Sequence, residues 1–164
     1  MLKGMFKRIF HIIFNPSINA VQMCNFTLGL SKRGLKFFAY LGKKRLISKY
    51  GIHLGLGAQI GVNFKLPHPQ CIIIGEGVVI GDNCTIYHNV TLGTKHSLSS
   101  SICTYPTIGN NVTIYTGSII LGDIRIGDNS IIGASSLVLE DVEPNSVYVG
   151  VPAKKVKTIR KKEI

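Results

Sequence analysis

Branched aliphatic residues return at every sixth position along most of this chain, and glycine often follows them. The unbroken series after Pro106 consists of Ile108, Ile114, Ile120, Ile126, Ile132 and Val138, and the same spacing links Ile74, Ile80, Ile86 and Leu92. An amphipathic helix would bring its apolar residues back every three or four positions, and a plain strand every two. The pattern therefore predicts neither of these elements over long runs.

A six-residue period suits a solenoid in which short strands alternate with turns. Three hexads make one triangular coil, and the aliphatic side chains point inwards and stack into columns from coil to coil. The glycines are expected to relieve the backbone at the turns. We therefore predict a mainly β protein, a parallel β-helix, in which Leu66, Ile86, Ile114 and Ile132 share one column.

Two interruptions break the period in the same half of the solenoid. The step from Leu66 to Ile74 spans eight residues, two more than one hexad. The step from Leu92 to Ile108 spans sixteen residues, ten more than one hexad, and predicts a loop at residues 94–107. Departures from a regular scaffold often carry function, so residues 51–153 are predicted to form a β-helical domain with its functional site near these interruptions.

Residues 1–50 lack the six-residue period and are predicted to be helical. The candidate breaks are Asn15, Pro16, Gly34 and Gly42, which give two or three short helices. These helices would cap the first coil, whose strand edges would otherwise be unpaired. Residues 154–164 are predicted to form a basic C-terminal tail.

Positive charge is concentrated at the two ends of the chain, whose formal net charge is +11. Residues 1–50 hold ten Lys or Arg and no Asp or Glu, and six of the nine remaining basic residues lie between positions 154 and 162. The basic N-terminus is interleaved with aromatic residues such as Phe6, Phe10 and Phe14, which suits either contact with an anionic membrane or a solvated helical face. Nucleic-acid binding is not expected, because the basic residues form no reading motif.

The four cysteines, Cys24, Cys71, Cys84 and Cys103, form no C-x-x-C pair and have no metal-ligand spacing. We expect them to be reduced and mostly buried, and no metal to be bound. The apolar stretch at residues 9–14 is too short to span a membrane and precedes no convincing cleavage site. A cytoplasmic location follows as an expectation, with the inner face of the membrane as an option.

Two histidines are candidates for chemistry because they occupy equivalent places on successive coils. His68 lies between two prolines in the first interruption, and an imidazole there can accept a proton near neutral pH. His88 follows Ile86 as His68 follows Leu66, and strands of neighbouring coils lie about 4.8 Å apart. The alternatives are a histidine that fills a bulge and an exposed stack on a turn.

Residues 51–155 resemble the catalytic domain of serine acetyltransferases and of their relatives in surface-polysaccharide gene clusters, within the hexapeptide acyltransferase superfamily. The matching features are the eight-residue step with histidine in its third place, IIIGEGVVIGDN after it, VTLG before the loop, PTIG on return, and IIGASSLVLEDVEPNSVYVGVPAKKV. The order and spacing of these segments make the resemblance specific.

The resemblance implies a left-handed β-helix, a homotrimer and an O-acetyltransferase that uses acetyl-CoA as co-substrate. His68 would be the general base on an acceptor hydroxyl, which attacks the thioester directly, and a backbone N–H would stabilise the oxyanion. His88, His53 and Tyr105 would contact the acceptor. The acetyl-CoA site, in a groove between two solenoids, would include Gly93, Gly117, Gly133, Ala134, Ser135, Gly150, Pro152, Ala153 and Lys154.

Three departures from the serine acetyltransferase pattern concern the acceptor. Pro67 stands where the family has an aspartate, and His53 stands where it has the carboxylate that orients the catalytic imidazole. Thr104 and Tyr105 replace the arginine and histidine that help to hold serine. A zwitterion needs charged partners, so we expect a sugar hydroxyl of a surface polysaccharide or its precursor, with serine as the alternative acceptor.

Two functions of other classes remain open. The first is a zinc enzyme of the trimeric carbonic-anhydrase type, with His53, His88 and His96 as ligands, although Gly93 stands where that family expects a further histidine. The second is a non-catalytic trimeric scaffold. Elemental analysis for zinc tests the first, and acetyl-CoA binding and thiol release test the second.

Overall fold

The computed structural model describes residues 15–95 and 103–159, and within them two helices precede a series of short strands. The helices are α1 (Pro16–Lys32) and α2 (Lys36–Tyr50). The strands are β1 (His53–Leu54), β2 (Gln59–Ile60), β3 (Ile73–Ile74), β4 (Val79–Ile80), β5 (Thr85–Ile86), β6 (Thr91–Gly93), β7 (Thr107–Ile108), β8 (Thr113–Ile114), β9 (Ile119–Leu121), β10 (Arg125–Ile126), β11 (Ile131–Ile132), β12 (Leu137–Val138), β13 (Ser146–Val149) and β14 (Lys154–Thr158).

The strands form the three faces of a triangular solenoid. Face A contains β1, β3, β6, β9 and β12, face B contains β2, β4, β7 and β10, and face C contains β5, β8, β11 and β13. All pairs within these faces are parallel. The prediction of a mainly β parallel helix is therefore confirmed.

The register of the strands shows that one regular coil takes eighteen residues. It also shows where the two interruptions add residues to a coil. Thr113 pairs with Ile131, eighteen positions later. Gln59 pairs with Val79, twenty positions later, so the first interruption leaves the coil as two extra residues. Val79 pairs with Thr107, twenty-eight positions later, so ten residues leave the coil at the second. The loop that we predicted at residues 94–107 ends one residue earlier in the structure, because Thr107 already belongs to β7.

The interior is filled by one column of aliphatic side chains from each face. On face C, Ile86 pairs with Ile114 and Ile114 with Ile132, and Lys65 beside Leu66 bridges to Thr85. All four residues of this predicted column are fully buried. Burial of each such side chain stabilises the fold by about 1.5–3 kcal/mol, so the columns supply the main attraction between coils.

The corner between faces B and C is built from asparagines in the left-handed backbone region. Asn63, Asn83, Asn111, Asn129 and Asn145 have φ between 54° and 58°. Their amides join successive coils, since Asn111 Nδ2 donates to Asn129 Oδ1 at 3.0 Å and Asn129 Nδ2 to Asn145 Oδ1 at 2.9 Å. Asparagine tolerates this conformation better than most residues.

The glycines that follow the aliphatic residues have a different role from the one that we predicted. Gly61, Gly75, Gly81, Gly93, Gly109, Gly127 and Gly133 do not have positive φ. A Cβ on Gly81 would lie 2.7 Å from the carbonyl oxygen of Gly109 in the next coil. At Gly61, Gly81, Gly109 and Gly127 the backbone of the next coil approaches closely, whereas a Cβ on Gly75, Gly93 or Gly133 would meet the side chain of Tyr105, Leu121 or Val149. The conformational freedom of glycine is not used at any of these positions.

The two helices cap the first coil, as predicted. Asn15 is the N-cap of α1, where its Oδ1 accepts from Ser17 N at 2.9 Å, and Gly34 lies in the break between the helices with φ 75°. Leu46 and Tyr50 of α2 join the core of the solenoid. Gly42, predicted as a break, lies inside α2, because a Cβ there would clash with Thr27 of α1.

The C-terminal segment is more structured than the tail that we predicted. Residues 154–158 form β14, which pairs antiparallel with β13 and so covers the last strand of face C. Lys155 lies 2.6 Å from Glu143, and this hydrogen bond raises the pKa of Lys155. The side chains of β14 are exposed, which is why the polar sequence resembled a solvated tail.

Cysteine burial follows the prediction for two of the four residues. Cys24 and Cys84 are buried, and burial raises the pKa of the Cys24 thiol to about 12. Cys71 and Cys103 are exposed, which corrects the expectation of mostly buried thiols. Cys71 lies at the corner between faces C and A, where its φ is 52°.

Candidate active site

His68 and His88 meet at the corner between faces C and A. Their ring centroids are 5.7 Å apart and the rings are nearly perpendicular. Each follows an inward aliphatic residue by two positions, on successive coils that are stacked in register. The predicted pairing of these two imidazoles is therefore present in the structure.

The two imidazoles line a cleft of about 390 Å³ between the corner and the start of α1. The other lining residues are Pro16, Ser17, Pro67, Pro69 and Gln70. Ser17 Oγ donates a hydrogen bond of 2.8 Å to the carbonyl oxygen of Pro67, which ties the N-terminus of α1 to the residue before His68. The eight-residue step from Leu66 to Ile74 and the helical cap thus form the walls of the cleft together.

The polar atoms of the cleft are largely uncharged. In the described part of the chain, no Asp, Glu, Lys or Arg lines it. The Nδ1 atom of His88 is buried and has no hydrogen-bond partner in the structure. The His88 side chain lines the cleft, although its Nδ1 atom is itself inaccessible.

Two tyrosines at the same corner were missed by the sequence reasoning. The rings of Tyr87 and Tyr115 are stacked with centroids 5.0 Å apart, and Tyr87 lies 6.1 Å from His68. Tyr115 is 39% exposed. Each follows an inward isoleucine by one position, so the six-residue register would have placed them one above the other beside the histidines.

Beyond the tyrosines, the same corner carries small residues. Gly133, Ala134 and Ser135 form its fourth turn, and Gly117 precedes them one coil earlier. The chain then folds over the last strand of face A, where Ala153 N donates to Leu137 O at 2.8 Å. This leaves a strip of small residues, each at least partly exposed, along the predicted acetyl-CoA site, ending at Pro152 and Lys154.

Lys154 is the one charged member of the predicted acetyl-CoA set. It lies 3.4 Å from Glu140, and both side chains are mostly exposed, at 67% and 81%. An exposed pair of this kind contributes little to stability. Lys154 can therefore exchange Glu140 for a phosphate at low cost.

Three predicted site residues lie apart from the cleft within a single chain. His53 is exposed on the outer surface of face A. Tyr105 packs against Gly75 and Gly77, at the corner between faces A and B. Gly93 ends β6 at that same corner. Their roles in acceptor and acetyl-CoA binding stay predictions that require a neighbouring copy of the chain.

The zinc alternative has no support among the described residues. No group of three or more His, Cys, Asp or Glu side chains in residues 15–95 and 103–159 is arranged to hold a metal ion. His96, its third proposed ligand, lies outside the described ranges, as do the N-terminal aromatic residues.

Comparison with known proteins gives a consistent result. Residues 105–140 match the family model "Bacterial transferase hexapeptide (six repeats)". The serine acetyltransferase of Helicobacter pylori strain J99 is 35% identical over 145 residues, which cover 88% of this chain and 84% of that protein. The serine acetyltransferase of Mycobacterium tuberculosis is 36% identical over 137 residues, which cover 84% of this chain and 59% of that protein.

Solved structures agree with the sequence relatives. The crystal structure of Neisseria gonorrhoeae serine acetyltransferase superposes with a TM-score of 0.84 at 35% identity, over 92% of this chain and 58% of that one. Serine acetyltransferase from Brucella abortus in complex with coenzyme A gives a TM-score of 0.79 at 32% identity, over 92% of this chain and 64% of that one.

A triangular stack of hexapeptide coils with histidines at one corner defines a hexapeptide-repeat transferase with a left-handed β-helix, as predicted. More particularly, the chain belongs to the serine acetyltransferase family. It spans about half the length of several curated relatives that it matches, for example 46% of a serine acetyltransferase from Buchnera aphidicola.

Proposed function

We propose that the chain is an acetyl-CoA-dependent O-acetyltransferase in which His68 is the general base. The observation that carries the proposal is the position of this proline-flanked imidazole in a cleft, 5.7 Å from His88 and at one end of the strip of small residues. His68 accepts the proton of the acceptor hydroxyl while the oxygen attacks the thioester carbonyl. The C–S bond then breaks, and the proton passes from His68 to the departing sulfur.

Positioning of the base comes from the backbone around it. Proline fixes its own φ and restricts the residue before it, so Pro67 and Pro69 limit the path of the chain on both sides of His68. The hydrogen bond from Ser17 fixes the carbonyl of Pro67. A base held in this way needs little reorganisation before it meets the hydroxyl.

The acetyl-CoA site is proposed to lie between neighbouring copies of a homotrimer. The outward residues of face A are His53, Ile73, Thr91, Ile119 and Leu137, none of which is Asp, Glu, Lys or Arg. Ile73 and Ile119 are 42% and 39% exposed. An apolar stripe of this kind favours contact with another copy, and the small residues beside it leave room for a pantetheine arm.

The first candidate acceptor is the hydroxyl of serine. It is supported by the relatives and by a solved structure of the Neisseria gonorrhoeae enzyme in complex with serine, 36% identical to this chain with a TM-score of 0.79. His88, which lines the cleft, supplies one polar side chain for such an acceptor.

The second candidate acceptor is a sugar hydroxyl of a surface polysaccharide or its precursor. The cleft has no charged side chain in the described part of the chain, whereas a serine zwitterion is best held by charged partners. The stacked rings of Tyr87 and Tyr115 instead offer an apolar surface, which suits the C–H face of a pyranose. These two observations are the reason for keeping the sugar as a second candidate, while the relatives support serine as the first.

The acceptor is identified by thiol release from acetyl-CoA, with the acetylated product detected by mass spectrometry. We expect release with L-serine and none with L-alanine, which has the same charged groups and no hydroxyl. Faster release with a member of a panel of nucleotide sugars and methyl glycosides would establish the second candidate. Inactivity with every acceptor, together with absent CoA binding, would contradict the proposal and favour a scaffold.

Replacement of His88 by alanine is expected to raise the KM for the acceptor by about three- to tenfold, the effect of one lost hydrogen bond. The KM for acetyl-CoA should stay unchanged, because His88 lines the cleft proposed for the acceptor. Steady-state kinetics with each substrate varied in turn makes the measurement.

Asparagine is the matched variant, because it keeps a polar, hydrogen-bonding side chain at this position. His88→Asn should recover part of the lost affinity. If His88→Ala abolished turnover while His68→Ala did not, the general base would lie on the second coil instead of the first.

A further inference from the structure

The helical hairpin α1–α2 exposes an unusual number of large apolar side chains. The hairpin face, as we call it, consists of Phe26, Leu35, Phe37, Phe38, Tyr40 and Leu41, whose exposed fractions are 66%, 45%, 70%, 55%, 65% and 49%. A cleft of about 440 Å³ opens between the helices beside Phe26 and Phe38. Contiguous apolar patches of this kind mark surfaces that bind a partner or a membrane.

Positive charge surrounds the hairpin face. Residues 15–50 contain seven Lys or Arg and no Asp or Glu. Arg45 lines the cleft, and Lys43 Nζ lies 5.9 Å from the centroid of the Tyr40 ring. A partner of the hairpin face must therefore offer apolar groups to its aromatic side chains and carry negative charge.

Two occupants from this protein itself fit poorly. A second copy docked face to face would oppose two uncompensated groups of seven cations, and juxtaposed like charges oppose association. Residues 1–14 add Lys3, Lys7 and Arg8 and no acidic residue, so they would meet the same repulsion. A face-to-face pair of hairpins and residues 1–14 would therefore both leave the positive charge of the hairpin without a negative partner.

We propose that the hairpin face docks on an anionic lipid bilayer. Phe37, Phe38 and Leu41 enter the boundary between headgroups and acyl chains, and the surrounding Lys and Arg bind lipid phosphates. Aromatic and aliphatic side chains are mixed on this face. The boundary of a bilayer accepts both kinds, whereas base stacking would use only the aromatic ones, so a lipid fits this surface better than a single-stranded polymer. Neither described helix has the length and apolar character needed to cross the bilayer.

The docked orientation fixes the active site relative to the membrane. Ser17 lines the His68 cleft and Phe26 lies nine residues later in the same helix, which is about 14 Å along the helix axis. The cytoplasmic leaflet, which carries anionic lipid, is the surface that matches the cytoplasmic location expected from the sequence. An acceptor presented at that leaflet would reach the cleft without free diffusion.

The test is co-sedimentation of the full-length protein with vesicles, without acetyl-CoA or acceptor. Vesicles of phosphatidylcholine alone are compared with vesicles that also contain phosphatidylglycerol. We expect at least about tenfold tighter binding to the anionic vesicles, weakening as salt is added. Because turnover is not measured, the result is independent of the proposed enzymatic function.

Two variants and one control assign the binding to the hairpin face. Phe37→Ser/Phe38→Ser should weaken vesicle binding at least about tenfold, and Lys43→Glu/Lys44→Glu should remove the preference for anionic lipid. Val62→Ser removes a side chain that is 65% exposed at a distant corner and should bind as the original protein does. Circular dichroism checks that each variant is folded.

Several results would overturn the proposal. Equal binding to both kinds of vesicle, no binding to either, or unchanged binding of the Phe37→Ser/Phe38→Ser variant would each do so. A concentration-dependent rise in mass by light scattering, lost in that variant and without vesicle binding, would assign the face to a second copy. Binding to single-stranded DNA in place of vesicles would assign it to an anionic polymer.

Discussion

Replacement of His68 by alanine lowers the turnover number by about two to four orders of magnitude, the usual contribution of a general base. The imidazole lies in the cleft between two prolines, and in the described structure no other side chain except His88 could take the proton there. The measurement is thiol release under saturating acetyl-CoA and acceptor. Binding of CoA, measured by calorimetry, should be unchanged, because the small residues at the later coils remain.

The control for this variant is Gln59→Ala, which removes an exposed polar side chain on face B, outside the cleft. It should retain full activity. Circular dichroism and light scattering should give the same fold and assembly for both variants. Full activity in His68→Ala would contradict the mechanism, and loss of CoA binding in that variant would mean that the histidine holds the donor.

Replacement of Ile108 by alanine should lower the free energy of unfolding by about 2–5 kcal/mol. Ile108 is 1% exposed and lies in the middle of its column, between Ile80 and Ile126. Each coil contacts only its neighbours, so a cavity in the centre weakens both halves of the stack. Urea unfolding followed by circular dichroism at fixed protein concentration makes the measurement.

The adjacent residue provides a matched control. Thr107 belongs to the same strand but points outwards and is exposed. Thr107→Ala should change the free energy of unfolding by less than about 0.5 kcal/mol. Equal losses for both variants would mean that strand propensity, and not burial, determines stability at this position.

The solenoid could be predicted from the sequence because its contacts repeat. An inward aliphatic residue every six positions is the condition for a closed triangular coil, so the period gives the columns and both interruptions. The pairing of His68 with His88 followed from the same register. Each of these features depends on spacing along the chain alone.

Other features depend on contacts between distant segments and could not be predicted in this way. Gly42 is required by the approach of Thr27 from the other helix. The strand β14 forms because β13 offers an unpaired edge, although its own sequence is polar. The hydrogen bond between Ser17 and Pro67 joins residues fifty positions apart.

The candidate site was predicted only in part for a related reason. The six-residue spacing predicted that His68 and His88 lie close together, but it does not indicate which corner of the solenoid a loop residue will cover. Tyr105 was predicted beside the acceptor; within one chain it packs on Gly75 and Gly77, and its contact with the acceptor stays a prediction. The sequence also did not lead us to Tyr87 and Tyr115, because aromatic residues at a turn carry no motif.

The asparagine amides at the corner between faces B and C hold successive coils at a constant rise. Four such rises of about 4.8 Å separate the turn of His68 from the turn of Gly150, a span of about 19 Å. If acetyl-CoA lies along this corner as proposed, the number of coils would set how far its thioester can lie from a diphosphate at the last turn. Removal of one complete coil of eighteen residues would then leave every remaining contact type intact and shorten that span by about 4.8 Å.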